Sequence, residues 1–175
     1  MSSRSVNSDL RDALASLHSE GFAWAMQCCS RDRAIAEEVL QNVYLKILDG
    51  RARFDGRSTL KTWLLALIRF TAADECRRLS RHQARLEALA AEPRQDRTAA
   101  PDEMLAHLET RAEVRIALDA LPIRQREVLV LVFYHDLSLD EAAAVMGVSP
   151  GTARTHYDRG KQQLRTLLDP TLALP

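Results

Sequence analysis

The sequence is poor in the residues on which several kinds of protein depend. Its 175 residues include three cysteines, Cys28, Cys29 and Cys76. The number is odd, two are adjacent, and no pair has the spacing of a metal-ligand set. A disulfide framework and a structural zinc are therefore not expected, and the three read as reduced core or boundary residues. No run of about 18 apolar residues occurs, so no membrane span is expected. Met1–Glu20 lacks the apolar segment of a secretory signal, and the expectation is a cytoplasmic chain. There is no Gly-rich phosphate loop and no nucleophile–base pair with a recognisable spacing. His18, His82, His107, His135 and His156 are scattered and read as surface residues. No enzyme, cofactor or metal is expected.

Net charge is also absent, with 24 basic and 24 acidic residues, which taken alone argues against a polyanionic partner. The distribution argues otherwise. Arg51–Arg81 holds eight Arg/Lys against three Asp/Glu, and Pro150–Thr166 holds four against one. Fields act over about 8–10 Å at ordinary ionic strength, so two separate basic patches survive the neutral total.

What is present is helical period. Leu10, Leu14, Leu17, Trp24 and Cys28 form one stripe, predicting a helix from about Asp9 to Cys29 interrupted by Gly21. Ser30 is placed to cap a second helix, with Ala36, Val39, Leu40, Val43 and Ile47 inward and Gly50 as its stop. Arg51–Arg57 reads as a loop. Ser58 is placed to cap a third helix reaching about Leu79, with Leu60, Trp63, Leu64, Leu67 and Ile68 inward. Ala84–Met104 contains Pro93 and Pro101 and little apolar material. It reads as a mobile linker, and the division expected is residues 1–85, a linker over 86–108, and a second domain over 109–175. Beyond it, Val114, Ala117, Leu118 and Leu121 share a stripe, and Pro122 suits the first turn of the next helix. Val128–Tyr134 has strand propensity but no partner strand, so a buried helix is predicted. The fold class expected is all-α, with two small helical domains joined by a flexible linker.

Ser138-Leu-Asp-Glu141 has the pattern of a capping box. Leu139, Ala142, Val145 and Met146 make a short amphipathic helix that Gly147 ends. Ser149 caps the next helix and Pro150 opens it. Small Ala142, Ala143 and Ala153 let the two helices cross closely. This is a helix-turn-helix plan, whose second helix enters a DNA major groove. Ser149, Thr152, Arg154, Thr155, His156, Arg159 and Lys161 are its candidate DNA-binding residues, at a helix start that also offers free N–H groups to phosphate. One small reader seldom suffices, and a second contact must come from a dimer partner or another domain. Arg57-Ser-Thr-Leu-Lys-Thr-Trp63 offers hydroxyls, cations and an aromatic ring at a helix start, a set suited to unpaired bases. Trp63 by itself reads more readily as core that supports such a site. Ser58 reads as a cap, and Thr59 and Lys61 as residues outside it.

These segments resemble bacterial sigma factors of the extracytoplasmic-function (ECF) group. Ala36-EEVLQNVYLKI-Leu48 and Phe54-DGRSTLKTWLLALIRFTAADECR-Arg78 resemble the second conserved region. Ala117-LDALPIRQREVLVLVFYHDLSLDEAAAVMGVSPGTARTHYDRGKQQLRTL-Leu168 resembles the fourth. The resemblance implies that Glu37, Glu38 and Gln41 dock on the clamp of core RNA polymerase. It implies that Arg57, Ser58, Thr59, Lys61, Thr62, Trp63, Arg69, Phe70 and Arg77 serve the minus-ten promoter element, where the loop before the helix opens DNA and holds a flipped base. The fourth region would read the minus-thirty-five element as duplex. An anti-sigma factor held between the two domains is a further implied partner, and the free chain is expected to be a monomer.

Three positions depart from the usual family pattern: Phe70 stands where Asn is common, Ala66 where a basic residue is common, and His156-Tyr157 where Arg-Leu is usual. Gly160 is expected to weaken its helix by about 1 kcal/mol relative to Ala. The alternative reading is a dimeric helix-turn-helix regulator that binds operator DNA without polymerase.

Overall fold

The computed structural model describes residues 3–87 and 107–169. The chain divides into two compact units, Met1–Ala99 and Ala100–Pro175, and among the described residues every regular element is helical. The expected linker falls almost wholly outside the described residues, as do Pro93 and Pro101.

The first unit holds α1 (Ser3–Ser16), α2 (His18–Cys28), α3 (Arg33–Leu48) and α4 (Leu60–Glu87). The single helix expected over Asp9–Cys29 is two helices. At the joint the Ser16 hydroxyl donates to the Ala13 carbonyl, a local bond that competes with the helical ladder, and Leu17 takes φ −90°, ψ 0°. Gly21, expected as the interruption, lies inside α2 and is buried. A Cβ there would stand 3.2 Å from Ile68 Cδ1 and 3.8 Å from Leu40 Cδ2, so the glycine lets α2 approach both α3 and α4. Trp24 fills the centre, and its indole N–H donates to the Leu65 carbonyl at 3.0 Å. Cys29, not Cys28, is the buried cysteine, and none of the three forms a disulfide.

The cap of α3 is also displaced from its expected place. Ser30 and Arg31 both have positive φ, 52° and 64°, and carry the turn. Asp32 is the cap, its carboxylate accepting from the Ile35 N–H at 3.1 Å. The expected inward face of Ala36, Val39, Leu40 and Val43 is buried, while Ile47 is half-buried. The third long helix runs well past Leu79, to Glu87. Leu64, Leu65 and Ile68 face its core, whereas Leu67 and Trp63 are half-buried.

The second unit holds α5 (His107–Asp119), α6 (Ile123–Phe133), α7 (Leu139–Met146) and α8 (Pro150–Leu168). Val128–Phe133 is helical, as the lack of a partner strand required, and Val128, Leu129, Val130 and Leu131 are all buried. The run is rich in β-branched valine, which is why propensity suggested a strand. Pro122 sits one place earlier than expected, as the cap residue with φ −51°, ψ 139°, and its carbonyl accepts from the Gln125 N–H. His135, expected at the surface, is buried, with Tyr134 edge-on to its ring.

Candidate nucleic-acid interface

In the second unit, the capping box forms as the sequence spelled it. The Glu141 N–H donates to Ser138 Oγ at 3.3 Å, and the Ser138 N–H donates to Glu141 Oε2 at 3.0 Å. Gly147 ends α7 in the left-handed region at φ 66°, where a side chain would be strained. Its N–H and that of Val148 close on Ala144 and Ala143. Two residues later Ser149 caps α8, accepting from the Thr152 N–H at 3.2 Å, with Pro150 in the first turn. Buried Ala142, Ala143 and Ala153 leave room for the crossing. Both ends of the turn are thus fixed by hydrogen bonds, and the direction of α8 is set before any ligand arrives.

The seven expected residues of α8 do not all stand alike. Arg154, Thr155 and Arg159 are exposed. Thr152 is exposed too, but its hydroxyl pairs with Ser149 at 2.8 Å, so both belong to the cap. The Thr155 hydroxyl donates to the Gly151 carbonyl. His156 is half-buried, and Lys161 lies with its ammonium 5.0 Å from the Tyr157 ring centre. Gly160 is buried against α6 and is a packing position, not merely a weak helical residue.

In the first unit the nine residues expected at one site separate into a cap, a cross-helix ion pair, an exposed loop and a stripe of α4. Thr59, not Ser58, caps α4: its hydroxyl accepts from the Thr62 N–H at 3.1 Å, and its carbonyl from the Trp63 N–H. Thr62 is 2% exposed, its hydroxyl tied to that of Thr59, so it lies beneath the surface. Lys61 turns the other way and pairs with Glu20 of α2 at 2.6 Å. The loop before the cap keeps Arg57 and Ser58 exposed. Arg57 pairs with Asp55, and Gly56, at φ 75°, makes the bend. Trp63, Phe70 and Arg77 recur every seven residues and share one stripe of α4. Trp63 packs on Phe54 at 5.6 Å between ring centres, Phe70 is 51% exposed, and Arg77 pairs with Asp74 at 2.8 Å. The Arg69 guanidinium lies 5.9 Å from the Phe70 ring centre.

The third group of expected residues occupies the outward face of α3. Glu37, Glu38 and Gln41 are all exposed. Glu37 pairs with Arg33, and Glu38 with Arg78, which also grips the buried Glu75. This hold keeps the Arg78 guanidinium above its ordinary pKa, through the Glu75 hydrogen bond first and its charge second. Sequence reasoning missed two members of this face. Leu45 and Leu48 are 50% and 60% exposed, and they continue the Glu38–Gln41 line at spacings of four and three. The signal was available: they are apolar residues opposite the Ala36–Val43 stripe. Beside them a cleft of about 310 Å³ opens between α3 and α4, lined by Asn42, Lys46, Thr71 and Arg78 among others. Among the described residues no three metal-ligating side chains gather, and no helix is long and apolar enough to cross a membrane.

Comparison with known proteins agrees with this geometry. Residues 17–82 match the family described as Sigma-70 region 2, and residues 111–164 match Sigma-70, region 4. The chain is 33% identical to the ECF RNA polymerase sigma factor SigX of Bacillus subtilis, over 77% of this chain and 71% of that one. It is 34% identical to the RNA polymerase sigma factor CarQ of Myxococcus xanthus, over 79% and 77%. Among solved structures, the sigma factor RpoE of Bartonella quintana, crystallised with the anti-sigma factor NepR, shares the fold. It superposes with a TM-score of 0.70 over 91% of this chain and 96% of that one, at 24% identity. Between a polymerase subunit and a self-sufficient dimeric regulator, these likenesses decide for the former: the chain belongs to the ECF RNA polymerase sigma factors, which recognise promoters as part of the polymerase.

Proposed function

We propose that the two units divide promoter recognition between them. The second unit reads the minus-thirty-five element as duplex, with Arg154, Thr155 and Arg159 at the DNA and the Ser149–Thr152 cap fixing the start of the helix that carries them. The first unit serves the minus-ten element with Arg57 and Ser58 on the loop and Phe70, Arg69 and Arg77 along α4. Trp63 supports that stripe from its half-buried place against Phe54. Thr59, Thr62 and Lys61 act on this site through the fold, as cap, buried partner and ion pair. Glu37, Glu38 and Gln41, extended by Leu45 and Leu48, dock on core polymerase. The chain acts without catalysis of its own, in the cytoplasm, as a monomer when free. The domain division is 1–85 and 109–175, with 86–108 as the connection. An anti-sigma factor, such as the one bound to the solved RpoE, is a partner class this chain would share.

The observation that carries this reading is the pairing, in one chain, of a doubly capped duplex reader with a long helix that displays an aromatic and a cation in line. Neither suffices alone: the reader is small, and the α4 stripe has the chemistry of unpaired bases. Run-off transcription from a promoter library, with core polymerase and the chain added or omitted, is the test. Promoter-selective transcripts that require the chain are expected. Transcripts that do not depend on it, or a chain that fails to co-elute with core enzyme, would refute the reading.

A further inference from the structure

Phe133, the last residue of α6, leaves 63% of its surface exposed, yet it is not idle. Its ring stacks on Tyr157 of α8, with centres 5.9 Å apart and planes at 23°. Lys161, one turn further along α8, holds its ammonium 5.0 Å from the centre of the same Tyr157 ring. Two aromatics and a cation thus form a ladder that begins on α6 and ends on the charged side of the recognition helix.

Helical geometry connects this ladder to the duplex. Lys161 follows Arg154 by seven residues and so shares its stripe, about 10 Å further along the axis. A major groove is about 12 Å wide, so a helix that places Arg154 in the groove brings Lys161 level with its phosphate edge. A lysine side chain is among the costliest to immobilise, because it has many rotamers to lose. One already held over an aromatic face has lost part of that freedom before DNA arrives, and binding is stronger by that part.

We propose that Phe133 and Tyr157 are positioning residues that hold Lys161 ready for one phosphate of the upstream duplex. The proposal rests on the reading of α8 as the duplex reader. Its chemical basis is specific: the pair must offer a π-face to the ammonium, and Tyr157 must be steadied by Phe133. A leucine at 157 could pack against α6 but could not hold a cation.

The test uses holoenzyme, assembled from core polymerase and the full chain, on a fully paired upstream promoter fragment over a series of salt concentrations. Lys161→Ala is expected to lower the slope of log affinity against log salt by about 0.9, the loss of one phosphate contact. Tyr157→Leu, which keeps bulk but removes the ring, is expected to weaken binding about two- to fivefold, and Phe133→Leu to act in the same direction. Tyr157→Phe is expected to restore wild-type affinity. In the Lys161→Ala background, Tyr157→Leu is expected to cost nothing further. The proposal is overturned if Lys161→Ala leaves the salt slope unchanged, or if Tyr157→Leu costs the same with and without Lys161. The second comparison decides even if Tyr157→Leu lowers the melting temperature, because lost folding weakens both backgrounds equally. Arg154→Ala separates this proposal from the one beneath it. If Arg154→Ala weakens binding and the ladder variants do not, the positioning role fails alone. If Arg154→Ala binds as wild type as well, the duplex-reading role of α8 fails.

Discussion

Gly160 of α8 sits against Leu129 of α6 so closely that a Cβ at Gly160 would stand 3.2 Å from Leu129 Cδ1. The same Cβ would meet Gln125 Cβ at 3.2 Å and the Gln125 carbonyl oxygen at 3.3 Å. Two of these neighbours can shift only if α6 shifts, because one is a backbone atom and the other is fixed to it. The recognition helix is therefore seated on α6 by the absence of a side chain.

Two opposed effects meet in Gly160→Ala. Helix propensity favours alanine by about 1 kcal/mol, while overpacking a tight contact costs roughly 1–3 kcal/mol. With a backbone oxygen in the way, the second effect wins, and the substitution is expected to destabilise the second unit by about 1 kcal/mol. Denaturant unfolding checks this; an increase in stability would mean that α8 rides easily off α6.

Thr59→Ala is expected to cost about 1 kcal/mol, the usual worth of a helix cap, because Thr59 Oγ1 receives the Thr62 N–H. Ser58→Ala, whose hydroxyl only reaches the Thr59 carbonyl from an exposed position, is expected to change stability by less than about 0.5 kcal/mol. Thermal melts of the two variants should differ in this order, and the reverse order would return the cap to Ser58.

That pair shows where the sequence was legible and where it was not. Ser58 and Thr59 are both good caps, and nothing in one sequence tells which φ/ψ the loop will impose; the same holds for Ser30 and Asp32. By contrast, Ser138, Glu141, Gly147 and Ser149 could be read directly, since a capping box, a left-handed glycine and a Ser-Pro start each demand particular residues at particular spacings. The inward stripe of α3 was readable for the same reason of period, and that of α4 in part: Leu64 and Ile68 are buried as expected, Leu65 is buried beside them, and Leu60, Trp63 and Leu67 are half-buried. The candidate site was legible as a list but not as a surface. Lys61 looked like a DNA cation until the fold put Glu20 2.6 Å away, and Thr62 looked available until it proved buried. Leu45 and Leu48 were missed because an exposed leucine takes its meaning from the stripe opposite it, and the Ala36–Val43 stripe was read only for the core it makes.

Removing part of the outward α3 face is expected to uncouple polymerase binding from folding. Gln41→Ala with Leu45→Ala deletes exposed surface only, so the thermal midpoint should stay near wild type. Affinity for core polymerase is expected to fall at least about tenfold, equivalent to about 1.4 kcal/mol. Competition binding against the unmodified chain measures the ratio. Equal affinities would place the docking face elsewhere.

Alkaline stability follows from Cys29. Burial chiefly, then the charges of Cys76, Asp32 and Glu75, pushes its thiol up from 9.0 to about 12. The folded thiol therefore keeps its proton where the unfolded one has lost it. The stabilising contribution is full below the unfolded value and declines as pH rises from there towards 12. Burial raises Tyr44 as well, and it adds a decline in the same sense above its ordinary value of 10.0. The first unit is thus expected to lose stability progressively above pH 9, and Cys29→Ala, whatever its cost at neutral pH, is expected to flatten that decline. Denaturant midpoints against pH decide; parallel curves for the two proteins would remove the thiol as the cause.

If the exposed stripe of α4 shares in strand opening with the loop before it, the variants that test it must spare the fold. Thr59 and Lys61 are unsuitable because one caps α4 and the other ties it to α2. Phe70 and Arg77 are suitable. Phe70 is half exposed, and Arg77 forms a solvent-facing pair with Asp74 one turn away, a kind of pair worth between nothing and about 1 kcal/mol. Phe70→Ala with Arg77→Ala should therefore leave melting temperature and polymerase binding close to wild type. If the ring takes a flipped or stacked base and the cation follows the strand, the loss appears when the strands must separate. A base–aromatic stack is worth about 1–3 kcal/mol, so open-complex formation on a paired promoter is expected to fall between about fivefold and a hundredfold. A template with the minus-ten segment already unpaired removes the cost of unstacking and should restore part of the lost activity. Equal losses on paired and unpaired templates would show that Phe70 and Arg77 only bind backbone, and would move the opening step off this helix.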